Sequence, residues 1–134
     1  MKIIDVEGIG PGFADKLAAA GVSDTDALLE RAGSSAGRAS LASQTGISER
    51  NLLEWVNHAD LMRIDGVGSE FADLLEAAGV DSCAELTRRN AANLAMTFQE
   101  LDAARPNTIR RVPSEAVVAG WIEQAGKLAS VVSH

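Results

Sequence analysis

The sequence predicts an all-α fold built from two copies of one unit, and three observations carry that reading. Apolar residues recur at helical rather than alternating spacing, as in Leu52, Trp55, Val56 and Ala59. Aromatic residues make up only 4% of the chain while alanine is abundant, a balance that suits close-packed helices better than a sheet. The block from Val6 to Val22 returns 58 residues later as Ile64 to Val80, with both glycines, the Phe-Ala-Asp triplet, a leucine and the closing Ala-Ala-Gly-Val in place. Ser48-Glu49, Leu52, Trp55, Val56 and Ala59 recur as Ser114-Glu115, Val118, Trp121, Ile122 and Ala125 at an offset of 66, so about eight extra residues lie inside the second copy. The units divide at 1–62 and 63–128, with a tail at 129–134. A chain of 134 residues suits two such small units sharing one core.

Each unit reads as four helical segments, which gives roughly eight short helices in a pseudo-two-fold arrangement. The first begins at Pro11, where the missing N–H costs nothing, and shows the apolar face Phe13, Ala14, Leu17 and Ala20, matched by Phe71, Ala72, Leu75 and Ala78. Gly21-Val22 and Gly79-Val80 have the form of a Schellman stop. Ser23 with Asp26, and Ser82 with Glu85, have capping-box spacing for the second segment. The third runs from Ser35 to Thr45 before Gly46; its counterpart, Asn90 to Ala104, places Leu94, Phe98 and Leu101 on one face ahead of Pro106. Ser48 and Ser114 cap the fourth. The helix from Ser48 runs into the Gly66 turn, whereas only Met1 to Asp5 precede the Gly8 turn. The reading therefore expects the Trp121 helix to pack beside Gly8, with Ile122 and Leu128 covering Ile3 and Ile9.

Net charge is −7, which argues against a strong charge-driven grip on nucleic acid. Residues 1–22 carry Lys2 and Lys16 against three acids, a local −1, and residues 61–80 carry Arg63 against Asp65, Glu70, Asp73 and Glu76, a local −3. Basic residues gather at Arg105, Arg110, Arg111 and Lys127, which leave 105–128 at +2, and at Arg88-Arg89 upstream. Cys83 is the single cysteine, no apolar run is long enough to span a bilayer, and no signal-peptide core is present; together these point to a reducing, cytoplasmic setting without membrane contact.

Gly8-Ile9-Gly10 and Gly66-Val67-Gly68, each followed by an Ala-x-x-Leu helix, resemble helix-hairpin-helix proteins. The whole layout, with Gly46-Ile47-Ser48-Glu49, the Leu-x-x-Trp-Val helix and Arg110-Arg111-Val112-Pro113-Ser114, is similar to the bacterial family called domain of unknown function 4332. The wider resemblance implies that hairpin amides and the following helix N-terminus hold a nucleic-acid phosphate without reading bases. It also implies, in some members, a monovalent cation on the hairpin carbonyls. DNA-binding members often carry a basic residue two positions after the second glycine; Gly12 and Glu70 stand there here.

Gly8, Ile9, Gly10, Lys16, Arg110 and Arg111 are therefore the candidate phosphate contacts, and Gly66, Val67 and Gly68 a second, more structural hairpin. Trp55 and Trp121 sit at equivalent apolar positions and read as core. Neither His58 nor His134 shares a ligand spacing with Cys83 or a carboxylate pair, Asp15 and Asp73 read as solvated helix residues, and no phosphate loop or nucleophile motif occurs. The expectation is a non-catalytic module without cofactor or metal that binds a DNA or RNA backbone weakly and without sequence preference. The alternative is a protein-interaction or scaffold domain on the same fold.

Overall fold

The structure is a computed structural model describing residues 1–106 and 109–134; Asn107 and Thr108 lie outside the described residues. The described residues form α1 (Pro11–Ala19), α2 (Thr25–Ala32), α3 (Ser35–Thr45), α4 (Glu49–Leu61), α5 (Ser69–Ala77), α6 (Cys83–Leu86), α7 (Ala91–Ala104) and α8 (Glu115–Lys127). A 3-10 turn over Ile3–Asp5 precedes them, and extended pairing among the described residues is limited to one isolated bridge between Lys2 and Asp24. The fold is all-α.

The stops of α1 and α5 follow from their glycines. Gly21 and Gly79 take φ values of 86° and 90°, in the left-handed region. Val22 N–H then donates to Leu17 O at 2.8 Å and Val80 N–H to Leu75 O at 2.9 Å, the long bond of a Schellman motif. Arg31 Nη1 donates to Ala20 O at 2.8 Å and Arg89 Nη2 to Gly79 O at 3.0 Å, so each helix end also receives a guanidinium where the dipole favours a cation. Arg89 and Arg88 further pair with Glu85. The cap of α2 is Asp24 rather than Ser23: the Asp24 side chain accepts from Ala27 N–H at 2.7 Å. Ser82 caps α6 as the sequence suggests, accepting from Glu85 N–H at 3.1 Å, while the Glu85 carboxylate turns to the arginines.

The buried apolar side chains fall into two clusters, not the single shared core expected. One gathers Ile3, Val6, Ile9, Leu17, Leu28, Leu41, Leu52, Trp55 and Val56; the other gathers Ile64, Val67, Leu75, Leu86, Phe98, Val118 and Trp121. Each fully buried aliphatic side chain contributes about 1.5–3 kcal/mol. The helix α4 serves both, with Ala59 in the first cluster and Leu61 in the second.

The expected closure of the chain on itself is not seen. Ile122 and Leu128 pack on the second cluster, whereas Ile3 and Ile9 belong to the first, so α8 does not close over the Gly8 turn. Each hairpin instead rests on the tryptophan of its own half: a Cβ on Gly8 would stand 3.3 Å from Trp55 Nε1, and one on Gly66 would stand 3.5 Å from Trp121 Nε1. Helical periodicity identified both tryptophans but not which hairpin each supports.

The tail is bound to the body of the chain. Val132 joins the first cluster, Ser133 N–H donates to Gly33 O at 2.9 Å, and His134 Nε2 lies 2.8 Å from Asn57 Oδ1. Buried Arg38 donates to Ala32 O, Gly33 O and Ser133 O. Arg63 Nη1 reaches Ala129 O at 2.9 Å. The last residues thus bind the first half, although residues 129–134 carry no helical periodicity that would suggest it.

Candidate functional site

Two glycines in each hairpin do different work. Gly8 and Gly66 have φ values of 91° and 92°, a conformation that L side chains rarely adopt. Gly10 and Gly68 have φ values of −83° and −92°, open to any residue, and a Cβ on either would meet nothing within 4 Å. The fold needs the first glycine of each pair; nothing among the described residues requires the second.

Helix capping divides along the same line. Asp24, Ser34, Ser48, Ser82, Asn90 and Ser114 each cap a helix through a side-chain oxygen. The two helices without a side-chain cap are α1 and α5, which follow Gly10 and Gly68. In α1 the first amide to bond back is Ala14, to Gly10 O at 2.9 Å; in α5 it is Ala72, to Gly68 O at 2.9 Å. The earlier amides of both first turns have no protein acceptor among the described residues. Ile9 and Val67 are buried beneath their turns, as apolar plugs.

The aromatic pairs below the hairpins match as well. Phe13 meets Trp55 edge-on with centroids 5.0 Å apart, and Phe71 meets Trp121 tilted at 5.3 Å.

The hairpins are anchored by different side chains. Gln124 holds the second directly: its Oε1 accepts from Asp65 N–H at 2.9 Å and its Nε2 donates to Asp65 O at 3.3 Å. At the same register in α4 stands His58, whose Nε2 lies 2.8 Å from Ser69 Oγ; Ser69 Oγ in turn accepts from Glu7 N–H at 3.2 Å. The first hairpin is therefore held through the first residue of α5, and this is where the two halves meet.

The basic candidates are distributed unevenly. Lys16 is exposed, with Nζ 5.9 Å from the Phe13 ring centroid, on the helix of the first hairpin. Arg110, 91% exposed, lies at the second hairpin: its N–H donates to Glu70 Oε1 at 3.4 Å and its Nε is 3.9 Å from Glu70 Oε2. Arg111 lines a shallow groove with Phe71, Val112 and Pro113. The arginine pair expected to join the first hairpin thus sits beside the second, where it offsets the acid that spoils that hairpin's charge.

A further cluster escaped the sequence. His58 is 3% exposed, and its Nδ1 stands 3.5 Å from both Asp73 Oδ1 and Glu76 Oε2. Burial, a hydrogen bond shared with Glu7 and the charge of Glu7 push the Asp73 carboxyl up to about 7, with His58 opposing and Glu76 adding. For His58, burial lowers the imidazole pKa, but the hydrogen bond and charge of Glu76, with Asp73 and Glu7 behind it, outweigh burial and leave it raised. These residues come from separate helices, so no sequence spacing joins the histidine to the acids. The one legible hint is that Asp73 and Glu76 are three apart on a helix and share a face.

The family model described as Domain of unknown function (DUF4332) matches residues 7–128. No curated protein and no solved structure matches the chain.

Proposed function

The chain belongs to the DUF4332 family, a domain of unknown function, and from that premise we propose that it is a non-catalytic helix-hairpin-helix module that binds nucleic acid weakly and without sequence preference. Phosphates would be held by Gly8-Ile9-Gly10 with Lys16, and by Gly66-Val67-Gly68 with Arg110 and Arg111. In this reading the halves are duplicated units about a pseudo-two-fold axis, which suits contact with two backbone strands.

One observation carries the proposal. The only two α-helices among the described residues without a side-chain cap are those behind the glycine hairpins, and each begins at a glycine for which the described residues show no steric need. A side-chain cap contributes about 1 kcal/mol. Omitting it at both sites leaves amides without a protein acceptor at the positive end of a helix dipole, and a missing Cβ lets a phosphate come close. Six capped helices in the same chain argue that the omission is local to these turns.

Charge limits the grip. With −7 overall and Glu7, Glu70, Asp73 and Glu76 near the turns, amide contacts must act against repulsion. The Arg110–Glu70 pair is exposed, worth little in itself, and easily exchanged for Arg110–phosphate.

The protein-interaction alternative has one observation in its favour: a hollow of about 670 Å³ whose apolar wall is Phe71, Leu74, Leu101 and Ile109. Titrating labelled single-stranded, duplex and structured nucleic acids at two salt concentrations separates the readings. Salt-sensitive, sequence-independent binding supports the hairpin proposal; no binding to any of them at low salt leaves the interaction domain.

A further inference from the structure

We propose that His58, Asp73 and Glu76 form a binding site for a divalent transition-metal ion, best matched by zinc, which clasps α4 to α5 and leaves a coordination position open to solvent. The inference is independent of the nucleic-acid reading.

Three potential ligand atoms, His58 Nδ1 and one carboxylate oxygen each from Asp73 and Glu76, lie within 4.8 Å of one another. The two nitrogen–oxygen separations are 3.5 Å. Both exceed the usual N–H···O range of about 2.7–3.2 Å, so the hydrogen bond between the imidazole and Glu76 is long and Asp73 meets the ring only as an ion pair. Ligands at about 2.0–2.1 Å from a tetrahedral zinc stand about 3.3 Å from each other. The two nitrogen–oxygen edges are close to that value, and the carboxylate oxygens, within 4.8 Å of each other, would have to draw together on an arriving ion.

The imidazole is oriented for ligation. Its Nε2 is fixed by Ser69 Oγ at 2.8 Å, and Ser69 is itself fixed by the Glu7 amide. Nδ1 is the ring nitrogen that faces the acids, and an ion that displaces its proton would find Nε2 held by an outer-shell partner, as metal-bound histidines are. Asp73 and Glu76 side chains are 45% and 25% exposed, so the cluster opens outward and an ion can enter with water still attached.

The charges also call for a cation. Glu7 lies beside Asp73, and among the described residues no lysine or arginine pairs with Glu7, Asp73 or Glu76. One imidazole faces three carboxyl groups, of which Asp73 and Glu7 share a hydrogen bond, and a dication would take the place of the proton between them.

The other half of the chain provides an independent comparison. Holding a hairpin there takes only Gln124, a neutral amide. At the offset of 58, Glu76 corresponds to Ala18. Anchoring the first hairpin therefore explains neither an imidazole at position 58 nor a second acid at position 76. A nitrogen donor with two carboxylates favours zinc or its first-row neighbours over magnesium and calcium, which prefer all-oxygen shells.

The test uses the full chain, stripped with a chelator. Calorimetric titration with zinc should show one ion per chain, and cobalt should give the visible absorption of a four-coordinate nitrogen–oxygen site. The double variant Asp73→Asn, Glu76→Gln alters partly exposed groups without changing shape and should lose at least about tenfold in affinity. His58→Gln copies the residue that works in α8, keeps a hydrogen bond to Ser69, and should abolish the cobalt spectrum while folding normally. His134→Ala, which removes the other histidine, should change nothing. Absence of one-to-one binding, binding unaffected by the double variant and by His58→Gln, or binding lost in His134→Ala would each overturn the proposal.

Discussion

Trp55 Nε1 stands 3.3 Å from the point where a Cβ would project from Gly8. The indole of the longest first-half helix is thus the floor on which the first hairpin turns, and Trp121 serves Gly66 in the same way at 3.5 Å. This contact, with the positive φ, separates the first glycine of each hairpin from the second.

That separation predicts a stability difference. Gly8→Ala must hold alanine at φ 91° and push on the indole, at a cost of about 1–2 kcal/mol for the backbone alone. Gly10→Ala keeps φ near −83° in open space and should cost no more than about 1 kcal/mol. Urea melts of the two variants should rank them in that order; equal losses would mean that the turn geometry is misassigned.

Supplying the missing caps should trade binding for stability. In Gly10→Ser and Gly68→Ser a hydroxyl can take those amides, as Ser48 and Ser114 do in their own helices. Each change should raise stability by roughly a few tenths of a kcal/mol and weaken binding to duplex DNA. Tighter binding after both substitutions would refute the amide mechanism.

Charge reversal at the second hairpin should act the other way. Glu70→Lys removes the acid that Arg110 now covers and adds a cation beside the α5 amides, so affinity should rise. Replacing Arg110 and Arg111 by alanine should lower affinity equally across sequences and flatten the duplex salt dependence by up to about 0.9 in log–log slope per lost contact. Anisotropy titrations at several salt concentrations read both effects.

Cys83 should be inert in the native protein. It is buried, its N–H donates to Asp60 Oδ2 at 2.9 Å and its thiol to Asp60 O at 3.1 Å. Burial and then the Asp60 charge push its pKa up to about 12, with Arg63 opposing. An aromatic disulfide reagent at pH 8 should react only after denaturation; reaction with folded protein at the rate of a free thiol would contradict the burial of Cys83 against Asp60.

Much of the architecture was legible because it is local. The bounds of α3, the Schellman stops and the Ser48, Ser82 and Ser114 caps depend on residues within one turn of each other, and they stand as the sequence indicated. The family was legible too, because its motifs span the chain. What was not legible is nonlocal. The choice of Trp55 over Trp121 beneath Gly8, the tail's bonds to Gly33 and Arg38, and the Arg110–Glu70 contact all join segments whose sequences carry no shared period. The His58 cluster was missed for the same reason, since its ligand atoms meet only when α4 and α5 pack.

The most direct test of the hairpin account is an amide-resolved NMR titration of the full chain with a short duplex at low salt. The account predicts that the largest shifts fall on the amides of Gly10, Gly12 and Phe13 and of Gly68, Ser69 and Glu70, that they saturate together, and that added salt reverses them. Shifts confined to Arg88-Arg89 or other surfaces, or no shifts at these six amides at low salt, would contradict it.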